Sequence, residues 1–62
     1  MIAPLPSALD FAWAAMALKR GHSVEVVTQE LERVSLKAAG LSERARGTYV
    51  RRTVDEARRG IA

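Results

Sequence analysis

Apolar positions fall along this chain in three blocks separated by glycine, serine and charged residues, and each block has helical rather than alternating spacing. In the first, Leu9, Phe11, Trp13 and Met16 stand among alanines from Ala8 to Leu18, and only Asp10 is polar before Lys19. Ser7 precedes this run in a Ser-x-x-Asp arrangement that suits a helix N-terminus, where the dipole also favours the carboxylate. Lys19 and Arg20 suit a C-terminus, and Gly21 can take the left-handed conformation that ends a helix. The pattern predicts a helix over residues 8–20.

In the second block Val24, Val27, Leu31 and Val34 recur at spacings of three, four and three behind Ser23, a good N-cap, which predicts a helix over 24–34. The stretch from Ser35 to Leu41 contains Gly40 and sustains no period, so it reads as a loop with room for one helical turn. The third block follows Ser42 and places Val50, Val54 and Ala57 on one face, with Ala45 and Tyr49 on a neighbouring strip and Gly60 as the stop. Gly47 costs about 1 kcal/mol against alanine inside a helix and weakens its first turn. The expected architecture is all-α: a three-helix bundle of about 8–20, 24–34 and 43–59. An apolar leader over 1–7 precedes a single domain over 8–60.

The first helix has more apolar surface than a small bundle needs. Phe11, Ala14, Ala15 and Leu18 share one face, while Leu9, Trp13 and Met16 gather on another. Such a helix is normally buried on all sides. Leu9, Trp13 and Met16 are therefore candidates for a protein interface, with a second domain or a second copy as partner. The alternatives are that the leader Ile2 to Leu5 covers this face, or that Trp13 belongs to the core.

Charge changes the picture for the third helix. The chain carries a formal net charge of +3, yet cations and anions balance from Met1 to Leu41. From Ser42 onward Arg44, Arg46, Arg51, Arg52, Arg58 and Arg59 face only Glu43, Asp55 and Glu56. Heptad spacing puts Arg44, Arg51 and Arg58 in one stripe, with Arg52 and Arg59 beside it and away from Val50, Val54 and Ala57. Arginine suits bidentate recognition of phosphate. The competing reading is a solvated face on which Asp55 pairs with its arginine neighbours.

No cysteine and a single histidine are present, so neither a disulfide framework nor a structural metal cluster is expected. No nucleophile with its base and no glycine-rich phosphate loop can be assembled, and no catalytic residue or cofactor is expected. The apolar run of the first helix is too short to span a bilayer and has no basic segment before it, so the expectation is a cytoplasmic protein with no membrane association. A helix-turn-helix reader of duplex DNA fits poorly, because the connection between the second and third long helices is about seven residues.

An ordered set of residues adds a specific expectation: Asp10-Phe11, Ala12 and Ala15, Arg20-Gly21 with Ser23, Ser35, and Tyr49 followed by Arg52-Thr53-Val54. Together they resemble the C-terminal helix-bundle domain of RepB-type plasmid DNA primases, over about Leu9 to Ala57. Leu36 stands where relatives tend to have proline, and Gly47 follows the Glu43-Arg44 pair and Arg46. The resemblance implies an accessory domain, not an enzyme by itself, that serves a primase catalytic domain in cis or trans and contacts single-stranded DNA template or the initiating nucleotide. The residues assigned to that contact are Arg44, Tyr49, Arg51, Arg52, Thr53, Arg58 and Arg59. Tyr49 lies one turn from Arg52 and Thr53, and the three offer a stacking ring, a guanidinium and a hydroxyl along one edge of the helix. Alternatively, Arg52 pairs with Asp10 while the Tyr49 hydroxyl and Thr53 tie helices together.

Overall fold

The computed structural model describes residues 7–61, with helices in the order α1 (Ala8–Lys19), α2 (Val24–Val34), α3 (Leu36–Ala39) and α4 (Glu43–Ile61). The fold is all-α, as expected. The second long helix has the expected bounds, the first and third differ only at their C-terminal ends, by one and two residues, and the segment after Ser35, expected as a loop with room for one helical turn, folds into a short fourth helix. The apolar leader lies outside the described residues except for Ser7.

A serine begins every helix. The Oγ atoms of Ser7, Ser23, Ser35 and Ser42 accept from the backbone N–H of Asp10, Val26, Ala38 and Ala45, at 3.0, 3.2, 3.0 and 3.3 Å. Each bond satisfies one of the donors that a helix N-terminus leaves without an internal partner. Ser35 is also the C-cap of α2, so α2 and α3 meet at one residue.

The end of α1 is equally well defined. Arg20 is its C-cap, Gly21 N–H donates to Leu18 O at 3.0 Å and His22 N–H to Ala17 O at 3.3 Å. This is the Schellman pair of bonds, and it requires the positive φ of 95° that Gly21 adopts. Gly60 does not stop α4, which runs to Ile61, because only Gly21 among the described glycines takes a positive φ.

α4 packs against all three other helices, and most extensively against α1. The core joins Ala14 of α1, Val27 and Leu31 of α2, Ala38 of α3, and Tyr49, Val50, Val54 and Ala57 of α4. Trp13, Ala15, Ala17, Leu18 and Leu41 pack around it. The predicted Val50, Val54, Ala57 face is thus the inner face of α4. Of the predicted α2 stripe only the middle pair is buried; Val24 and Val34, at the two ends, are exposed.

Candidate nucleic-acid interface

What fixes α4 in place is a buried polar junction. The Asp10 carboxylate is 6% exposed, and its Oδ2 accepts from Ser35 Oγ and from the Tyr49 hydroxyl, each at 2.6 Å. Tyr49 in turn accepts from the Ser7 N–H at 3.0 Å, and the Lys37 ammonium sits 5.3 Å from its ring centroid. Burial raises the Asp10 pKa, but hydrogen bonds involving Ser35, Tyr49 and Ser7 and the charge of Lys37 outweigh it, so the carboxyl titrates below its usual 3.8. Among the described residues no buried side-chain polar atom lacks a hydrogen-bond partner. The junction ties α1, the α2–α3 corner and α4 together without a polar deficit.

Arg46 completes the framework. Its Nε donates to Ala38 O at 3.1 Å and its Nη2 to Leu41 O at 3.3 Å, which satisfies carbonyl groups at the end of α3 and in the turn before α4. This arginine faces inward, one residue before a helical glycine around which a Cβ would meet nothing within 4 Å.

The remaining arginines of α4, Arg44, Arg51, Arg52, Arg58 and Arg59, are all exposed. They are not equivalent. Asp55 lies between the two rows and pairs with Arg58 at 3.7 Å and Arg59 at 3.1 Å; Arg59 also reaches Glu56 at 3.7 Å. Among the described residues no carboxylate lies within ion-pair distance of Arg44, Arg51 or Arg52. The Arg51 Nε donates to Gly47 O at 3.3 Å, which anchors the side chain along the helix and leaves its two terminal nitrogens to face solvent. Arg51 and Arg52 border an open groove between α4 and the first turns of α2, as do Arg58 and Arg59 with their carboxylate partners Asp55 and Glu56, and Val24 and Thr28 stand on its opposite side.

Two expected contacts do not survive. Tyr49 is 2% exposed and Thr53 fully buried, so neither offers a free face to a base or a phosphate. The Thr53 hydroxyl donates to Tyr49 O at 2.9 Å, and the Tyr49 hydroxyl is committed to Asp10. Arg52 does not pair with Asp10; that carboxylate is occupied by Ser35 and Tyr49. The residue that sequence reasoning missed is Ser35 as a partner of Asp10, and the only local signal for it was its aptness as an N-cap.

The expected protein interface also divides. Leu9 and Met16 are 78% and 52% exposed, whereas Trp13 is half-buried and packs on the core. Among the described residues no group of three or more His, Cys, Asp or Glu side chains is placed to hold a metal. Among them, too, no helix is long and apolar enough to cross a membrane.

Comparison with curated proteins and with solved structures returns no match. The family model described as the RepB DNA-primase C-terminal helical domain matches residues 4–57. Most of the residues that carry the resemblance have a role in this fold: Asp10, Ser35 and Tyr49 make the junction, Thr53 bonds within α4, Gly21 and Ser23 end and begin helices, and Val54 is core. With nearly the whole chain inside the match, it belongs to the family of RepB DNA-primase C-terminal helical domains.

Proposed function

We propose that the chain acts as a non-catalytic accessory domain of a plasmid replication primase in the cytoplasm, contacting single-stranded DNA template through the exposed arginines of α4. The observation that carries this reading is the set Arg44, Arg51 and Arg52, exposed on one helix with no carboxylate partner among the described residues. A solvated helix face ordinarily interleaves opposite charges, as α4 does at Asp55. Phosphate is the anion for which several guanidinium groups in a row are suited. A catalytic domain, in cis or in trans, supplies the chemistry of primer synthesis.

Fluorescence anisotropy with a labelled single-stranded oligonucleotide at low salt tests the proposal. Binding is expected for the wild type, and Arg51→Ala combined with Arg52→Ala should abolish it. A wild-type domain that binds no strand at low salt overturns the template role.

The exposure of Leu9 and Met16 favours a second reading, docking onto another protein or onto a second copy. The two side chains stand seven residues apart on one face of α1, and an apolar face left open in this way suits a contact surface. Sedimentation of the isolated domain separates the two forms: concentration-dependent dimerisation abolished by Leu9→Gln with Met16→Gln indicates self-association, and a strict monomer leaves only a different partner.

A further inference from the structure

Granting the template role proposed above, we infer that this surface reads the sugar–phosphate backbone without reading bases, through a footprint of three arginines that Asp55 terminates. Base recognition by single-strand binders rests on exposed aromatic rings. α4 has one aromatic residue, Tyr49, and its ring is in the core with its hydroxyl spent on Asp10. Trp13 packs on the core, and the exposed Phe11 ring lies beside Gly60 at the C-terminal end of α4, two turns beyond Arg52, so neither ring stands among Arg44, Arg51 and Arg52.

The length of the footprint follows from the ion pairs. Arg44, Arg51 and Arg52 extend along about 12 Å of helix, given a rise of 1.5 Å per residue. Beyond them Asp55 holds Arg58 and Arg59. A guanidinium already bound to a carboxylate displaces fewer counterions when a phosphate arrives, so the C-terminal pair contributes little. Three contacts on a single strand correspond to a slope of log K against log salt of roughly −2. Over a fourfold rise in salt, affinity should fall about twentyfold.

The test compares an ordinary single strand with an abasic strand of equal length, and then compares variants on the ordinary strand. Equal affinity for the two strands within about twofold supports backbone reading. A tenfold or larger preference for the strand with bases overturns the inference while leaving the template role intact. Failure to bind either strand overturns the template role itself, so the two failures are distinguishable.

Arg51→Ala and Arg58→Ala remove the same charge from the same helix. The first should weaken the slope by about 0.7, and the second should leave it unchanged; equal effects would refute the footprint. Asp55→Asn should steepen the slope by a similar amount by freeing Arg58, which has no other carboxylate within ion-pair distance among the described residues. Circular dichroism on each variant establishes that the fold is retained, and an unchanged slope in a folded Asp55→Asn domain would overturn the role of Asp55.

Discussion

The Tyr49 hydroxyl donates to the Asp10 carboxylate at 2.6 Å, bridging α4 and α1 across 39 residues of sequence. A neutral donor to a buried charge is worth more than an ordinary hydrogen bond, about 1.5–3 kcal/mol. Tyr49→Phe keeps the ring in the core but removes this donor and the acceptor for the Ser7 N–H. It should destabilise the domain by about 2 kcal/mol, measured as a lower urea midpoint at unchanged m-value.

The same carboxylate gives stability a pH dependence of known sign. Its pKa is lowered on folding from an ordinary 3.8, so near that pH the unfolded chain binds more protons than the folded one. Stability therefore rises with pH through this range, is fully present above it, and is lost as pH falls through the depressed folded-state pKa. Urea titrations at successive pH values should show the slope, and Asp10→Asn should flatten it.

Arg46 should behave as a structural residue despite its charge. Arg46→Ala removes two charged hydrogen bonds to carbonyl oxygens that hold the turn between α3 and α4, at a cost of about 1–3 kcal/mol. Nucleic-acid affinity at a temperature where the variant is folded should change little, in contrast with Arg51→Ala. A large loss of binding by folded Arg46→Ala would show that this residue contacts the strand.

Two glycines should respond to alanine with opposite signs. At Gly21 a Cβ meets no atom within 4 Å, but φ is +95°, so the strain is wholly in the backbone and Gly21→Ala should cost about 1 kcal/mol or more. At Gly47 a Cβ also meets nothing within 4 Å and φ is ordinary. Gly47→Ala should stabilise α4 by about 0.5–1 kcal/mol. Thermal melts of the two variants provide the comparison.

The helices were legible in the sequence where local chemistry decides them. Ser7, Ser23 and Ser42 gave three starts, and Gly21 gave a stop. α3 was legible only as room for one helical turn, because four residues cannot show a period, although Ser35 is as good a cap as the others. Gly60 misled because a helix-ending glycine and a glycine inside a last turn look alike without φ. The candidate site divides in the same way. Helical spacing suffices to put Arg44, Arg51 and Arg52 on an outer face, whereas Tyr49 and Thr53 lie on a strip whose burial depends on where α1 crosses α4. Asp10 looked like a capping residue because its partners, 25 and 39 residues away, leave no local trace.

That separation also bears on the order of events during folding. The connections from α2 through α3 to α4 are short, and they close at little entropic cost, while the bond from Tyr49 to Asp10 must bring the two ends of the domain together. The junction should therefore form after the rate-limiting barrier. Loss of the Tyr49 hydroxyl then accelerates unfolding and leaves the folding rate nearly untouched, a φ-value close to zero. The contact that locks the finished domain would thus govern how long it stays folded, with little influence on how quickly it gets there.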